Sequence, residues 1–247
     1  MRKILFVLSL LVIAGFIYTN RSSNLLDGQK PTTPVPNKGL DLENGYRVQW
    51  ELVGTETTVR LISNLKDERT SQEVIDKYSC EILTSAGFYG EDGEHIGLFV
   101  SDGETISRTS QNFLFNGLLI LDNEPKITNL ETSNHLNAVQ TGPLLIKEGV
   151  SQNLSLKTDK NARRIVAAIT NEGELLLAAF YNKDSVVKGP LLSELPRLLL
   201  SFADTQNIKI DSAINLDGGT ASVFYKKGVN LPELVKVGGF LCVISGY

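Results

Sequence analysis

Strict alternation of apolar and polar positions opens the readable part of this chain. Tyr46, Val48, Trp50 and Leu52 face one way and their neighbours the other, which predicts a half-buried strand. Thr57 to Ile62 predicts a second strand. Thr70 to Tyr78 reads as a short helix with Ile75 among charges. Further strands are expected at Glu81–Ser85, Gly97–Ser101, Phe113–Leu121, Ala138–Thr141, Leu144–Ile146, Ile165–Thr170 and Leu175–Tyr181. Asp102-Gly103 closes one of these, and Asn171-Glu172-Gly173 joins the last two as a hairpin. The period then changes. Leu191, Leu192, Leu195, Leu198, Leu199 and Phe202 recur at helical spacing, with Pro190 near the start and an end near Gln206. Pro196 moves the start of the main helix to its own position. A second apolar run, Ile208, Ile210, Ala213, Ile214 and Leu216, leads as a buried strand into Asp217. Many strands and few helices without βαβ alternation predict an α+β domain with a mixed, largely antiparallel sheet. No fixed-period repeat occurs, which excludes a solenoid or propeller.

The pattern differs at the N-terminus. Arg2 and Lys3 precede an apolar run from Ile4 to Tyr18, so residues 1–21 read as a signal peptide or a signal anchor. Those two cations keep the N-terminus cytoplasmic and place the rest outside. If uncleaved, the segment would tie the protein to a membrane. Residues 22–44 carry Ser22, Ser23, Pro31, Pro34, Pro36 and Gly39 among polar positions and read as a flexible linker. The folded domain is expected over residues 45–247.

Charge narrows the partners. The net charge is −4, and no basic patch follows a nucleic-acid backbone, so DNA and RNA are excluded. An anionic ligand must be held by a few local cations and amides. Two histidines, His95 and His135, and two cysteines, Cys80 and Cys242, make a zinc site of His and Cys improbable. The cysteines form either one disulfide or two separate buried thiols.

The chemistry concentrates in N-L-D-G-G-T-A-S-V-F-Y, from Asn215 to Tyr225. One reading is an Asp-Gly turn between two hairpin strands. The other is a site: Gly218 and Gly219 let a ligand approach the backbone, while Thr220 and Ser222 add hydroxyls beside the Asp217 carboxylate. Three more stretches stand out: Ser85–Val100 (S-A-G-F-Y-G-E-D-G-E-H-I-G-L-F-V), Gln140–Leu145 (Q-T-G-P-L-L) and Ala162–Thr170 (A-R-R-I-V-A-A-I-T).

Together these four segments, in this order, resemble the phosphodiester glycosidase family over about residues 80–246. The resemblance implies an exported hydrolase that cleaves the glycosidic bond of a sugar phosphodiester, in envelope or exopolysaccharide metabolism. Its partner would be a carbohydrate or glycosyl-phosphate substrate. Asp217 would be the central carboxylate, as base, nucleophile or clamp on a sugar hydroxyl. Arg163 or Arg164 would meet the phosphate with a guanidinium fork. Neighbours on a strand face opposite sides, so one of the two enters the site, and Arg164 is assigned that catalytic place. Gly87, Phe88, Thr141, Gly142, Arg163, Gly218, Gly219, Thr220 and Ser222 would bind substrate. The chain departs from the family pattern at Ser85, where Asn is usual, at His95, where Pro is common, and at Thr220, where a third glycine often stands. His95 could donate a proton near neutral pH. No cofactor is required by these residues. Glu91, Asp92 and Glu94 form either a solvated acidic loop or oxygen ligands for a calcium ion. A non-catalytic glycan-binding envelope protein is the competing reading.

Overall fold

A computed structural model describes residues 39–54, 56–90, 92–129 and 134–246. The expected signal or anchor segment and most of the expected linker lie outside the described residues. No helix among the described residues is long and apolar enough to cross a membrane. Leu40–Asp41, placed in the linker by sequence, pairs as a strand with Tyr46–Val53.

Three antiparallel sheets carry the architecture. The largest has seven strands in the spatial order Leu40–Asp41, Tyr46–Val53, Leu175–Asn182, Arg164–Thr170, Ile210–Asn215, Leu144–Lys147 and Val150–Ser151. A five-stranded sheet runs Lys126–Asn129, Gly117–Ile120, Ala138–Thr141, Phe99–Ser101, Glu104–Ser107. A second runs Val229–Leu231, Phe224–Lys226, Ile82–Ser85, Gly239–Ser245, Thr57–Ser63. A two-stranded ribbon pairs Phe88–Tyr89 with His95–Ile96.

Side-chain alternation explains the layering. On Arg164–Thr170, Ile165, Ala167 and Ile169 point into a core shared by all three sheets, where they meet Phe99, Leu119, Val139, Ile82, Phe224 and Leu241. Val166 and Ala168 point the other way, onto Leu195, Leu198, Leu199 and Phe202 of the Leu195–Gln206 helix. Pro196 lies in the first turn of that helix, where a missing amide hydrogen costs nothing. The second five-stranded sheet buries Leu83, Phe240 and Cys242 against Val74 and Ile75 of the Ser71–Tyr78 helix. Thr70 caps that helix: its side chain accepts from the Glu73 amide, and Glu73 reaches back to the Thr70 amide. Cys80 and Cys242 form a disulfide that joins the end of this helix to the Gly239–Ser245 strand.

Candidate active site

Four strand ends from all three large sheets converge on Asp217. The Ile210–Asn215 strand ends where the Asn215 amide donates to the Pro143 carbonyl (3.1 Å) and Thr141 Oγ1 donates to the Asn215 carbonyl (2.8 Å). Asn215 Nδ2 donates to the Gly142 carbonyl (2.9 Å). The Leu216 amide donates to Ile165 (2.8 Å), at the start of Arg164–Thr170. Asp217 follows, and Ser85 Oγ, at the end of Ile82–Ser85, donates to its carbonyl (3.3 Å).

The Asp-Gly-Gly stretch is not a hairpin turn. It carries the chain from the seven-stranded sheet across to Phe224–Lys226 in another sheet. Gly218 passes so close to Arg163 that a Cβ there would sit 2.6 Å from the Arg163 carbonyl oxygen. Gly219 adopts φ +69° and donates its amide to that same oxygen (2.8 Å). Both positions therefore require glycine, one for space and one for its backbone angle. A 3₁₀ turn, Gly219–Ala221, completes the crossing.

Electrostatically, Asp217 is poised. It is 8% exposed, its Oδ1 accepts the Gly218 amide (2.8 Å), and burial pushes its pKa up to about 7. One backbone donor does not offset the desolvation of the charged form. Tyr89 lies within its field: burial first, and then the Asp217 charge, raise the phenol above its ordinary value.

The arginines part as strand neighbours should, but neither offers an open fork. Arg163 is wholly buried behind the turn. Its Nε donates to Ser222 Oγ (2.9 Å), Nη1 to Val186 O (3.0 Å), and Nη2 to the carbonyls of Ser222 and Pro232. Burial lowers its pKa to about 10, which leaves it charged at neutral pH. Arg164 faces the opposite side. Its guanidinium donates to Pro190 O (3.2 Å), Lys160 O and Asp159 Oδ1 (3.4 Å), and Asp159 in turn accepts the Leu192 and Ser193 amides. Arg164, expected at the site, is thus bonded away from the Asp217 turn, and the arginine at that turn is Arg163, which braces it.

Of the other expected residues, Ser222 is buried and relays Arg163 to the turn, donating to the Gly219 carbonyl (2.7 Å). Thr220 contributes its carbonyl, which accepts the Leu234 amide (2.8 Å). Gly87, at φ +74°, packs on Val139 and Phe99 with no room to spare. Phe88 stacks on Phe115 (centroids 4.5 Å apart). Gly142 lies against the Leu114 carbonyl. His95 is buried, stacked on Phe99 and bonded through Nε2 to Ser63 Oγ (2.9 Å). Burial drops its pKa to about 4, so it is neutral at pH 7 and lacks the imidazolium proton that a general acid would give up there. In the acidic loop, Asp92 Oδ1 accepts the Glu94 amide (3.1 Å), and Glu91 lies outside the described residues. No three His, Cys, Asp or Glu side chains among the described residues come together as metal ligands.

Asn215 is a residue that motif reasoning left unassigned. Its side chain is buried, and its Oδ1 meets no hydrogen-bond donor among the described residues. An acceptor so placed, two residues before the acid, suits a water or a sugar hydroxyl. Its position in N-L-D-G-G was the available signal, but sequence does not separate a bracing amide from a ligand-facing one.

Residues 78–243 match the phosphodiester glycosidase family. The fold is similar to the zebrafish N-acetylglucosamine-1-phosphodiester α-N-acetylglucosaminidase catalytic domain, solved auto-inhibited by its pro-peptide. That match has a TM-score of 0.58 and 17% identity over 84% of this chain and 87% of that one. A hypothetical protein from Synechocystis matches with a TM-score of 0.56 and 14% identity, over 83% of this chain and 60% of that one. A comparison with curated proteins gave no match.

Proposed function

Because the chain belongs to the phosphodiester glycosidase family, we propose that it is an exported hydrolase that breaks the bond between an anomeric carbon and a phosphodiester oxygen, in envelope or exopolysaccharide metabolism. The observation that carries this reading is Asp217: a nearly buried carboxylate at the meeting of four strand ends, with a pKa pushed to about 7. An acid–base group is most effective when its pKa lies near the working pH. In the proposed step the Asp217 carboxylate takes a proton from water as the water oxygen bonds to the anomeric carbon. The C–O bond to phosphorus breaks, and its electron pair leaves with the phosphate monoester. That leaving group needs little protonation, so one carboxylate suffices where ordinary glycosidases use two. Arg163 contributes by position: its charge and four donors fix the loop on which Asp217 stands.

Export is supported by the disulfide, which persists in oxidising compartments, and by the cations and apolar run at the N-terminus. The test is turnover of a glycosyl phosphodiester in heavy-oxygen water. Label in the sugar supports C–O cleavage, and label in the phosphate would defeat the assignment.

A second reading, a glycan-binding envelope protein without turnover, is favoured by one observation: the guanidinium groups of Arg163 and Arg164 are both committed to protein partners. It requires saturable glycan binding that Asp217→Asn leaves unchanged, with no phosphodiester consumed.

A further inference from the structure

A stretch that the proposed reaction does not use, R-T-S-Q-N-F-L-F-N from Arg108 to Asn116, interleaves aromatic rings with amides. Phe113 is 76% exposed, the most exposed large apolar side chain among the described residues. Phe115, two residues on, is half-buried and stacks on Phe88 at 4.5 Å with ring planes 29° apart. The segment has no regular secondary structure, yet it is held firmly. Gln140 accepts the Ser110 amide (2.9 Å) and donates to the carbonyls of Ser110 (2.6 Å) and Phe115 (2.8 Å). Asn112 Oδ1 accepts the Leu114 amide (2.9 Å), and Asn116 Oδ1 accepts the Leu144 amide (2.9 Å). The loop is thus braced while it holds the Phe113 ring in water.

Two routes connect this loop to Asp217. On one side the Leu114 carbonyl lies against Gly142, whose own carbonyl accepts Asn215 Nδ2, two residues before the acid. On the other, Phe88 precedes Tyr89, which senses the Asp217 charge. The loop is therefore tied to the backbone beside the candidate active site, and the ring it stacks on, Phe88, is the sequence neighbour of Tyr89. We propose that Phe113, with the stacked pair Phe115 and Phe88, forms a platform for sugar rings beyond the one whose glycosidic bond is cleaved, so that the substrate is an oligosaccharide or polysaccharide chain. The apolar C–H face of a pyranose covers an aromatic ring, while neighbouring amides such as Gln111 and Asn112 meet hydroxyl groups. This inference rests on the glycosidase reading for its substrate class but not for its test.

The experiment measures binding of the full chain to an array of bacterial polysaccharides, their short oligosaccharides and the component monosaccharides. Phe113→Ala, Phe113→Trp and Asp217→Asn are compared with the parent, alongside turnover of a single-sugar phosphodiester and the oligomeric state. The side chain of Phe113 is in solvent, so neither substitution threatens the fold. Chains of three or more sugars are expected to bind better than monosaccharides. Phe113→Ala should lose about tenfold in that preference, close to 1.4 kcal/mol, and Phe113→Trp should retain it, with single-sugar turnover unchanged in both. Absence of glycan binding, or chain binding indifferent to Phe113→Ala, would overturn the platform. A dimer that Phe113→Ala dissociates would do so too, because a second copy would then be the occupant. Chain binding that depends on Phe113 without turnover sinks the catalytic reading and leaves the platform standing; Asp217-dependent turnover with Phe113-independent binding does the reverse.

Discussion

At the scale of single residues, the protonation of Asp217 governs two measurable properties. As the base, it must be ionised, so kcat/KM should rise with pH through about 7 and then level off. Asp217→Asn should lose at least ~100-fold and flatten that profile. Stability should move the other way. The folded pKa stands near 7, above the ordinary 3.8, so the folded state holds the proton more tightly than the unfolded chain does. Stability therefore falls as pH climbs from about 4 to about 7 and is constant above. Removing the titration with Asp217→Asn should widen the variant's advantage in urea midpoint across that window, by at most roughly 4 kcal/mol at 1.36 kcal/mol per unit. An equal effect at pH 4 and pH 8 would show that the carboxylate is not desolvated. Arg163→Lys makes the complementary case. A lysine offers three donors without a planar fork, so acceptors among Ser222, Val186 and Pro232 go unmet. A loss of about 3 kcal/mol is expected in urea unfolding, from buried acceptors left without a donor. The glycines around Asp217 made its place legible in the sequence. The direction of each arginine was not legible, because two adjacent charged residues satisfy strand alternation equally, and only Ser222 on one side and Asp159 on the other decide between them.

Elements were legible where one period persisted. The Arg164–Thr170 and Leu175–Asn182 hairpin pairs from Arg164↔Phe180 to Ile169↔Leu175 around the Asn171-Glu172-Gly173 turn. The leucine-rich helix starts beside Pro196 as its spacing required. The expected strand over Phe113–Leu121 shrinks to Gly117–Ile120, because the backbone before it bonds to side chains, the Leu114 amide to Asn112 Oδ1 and the Phe115 carbonyl to Gln140 Nε2, instead of to a neighbouring strand. Gly239–Ser245 escaped the sequence reading: a Gly-Gly start and a nearly unbroken apolar run show no alternation, since that strand is central and covered on both faces. The cap at Thr70 permits a clean test at this scale. Thr70→Ala removes the side-chain acceptor of the Glu73 amide and should cost about 1 kcal/mol, read as a lower urea midpoint with the slope unchanged. A null result would mean that helix Ser71–Tyr78 is held by its buried face alone.

For the whole molecule, one covalent link spans most of the fold. Cys80 and Cys242 are 162 residues apart in sequence and 5.4 Å apart at Cα. They tie the end of the first helix to the last strand, so the disulfide encloses the candidate active site and, entirely within its loop, the five-stranded sheet that contains Ala138–Thr141. Composition left the two cysteines undecided, because pairing at such range is set by the complete topology, which places the C-terminal strand beside Ile82–Ser85. Closing a loop of this length removes chain entropy from the unfolded state worth about 5 kcal/mol. Reduction should therefore act on the unfolded ensemble much more than on the folded one. The expected signature is a urea midpoint that drops sharply in dithiothreitol, while turnover measured well below the midpoint is unaffected, because neither sulfur belongs to the Asp217 site. Cys80→Ala with Cys242→Ala should reproduce the drop and become insensitive to reductant. The same reasoning bears on export: folding in a reducing compartment forfeits this contribution, so the yield of folded protein should rise when the chain is directed to an oxidising one. Equal yields and midpoints with and without reductant would remove both the stabilising role of the disulfide and its support for an extracytoplasmic enzyme.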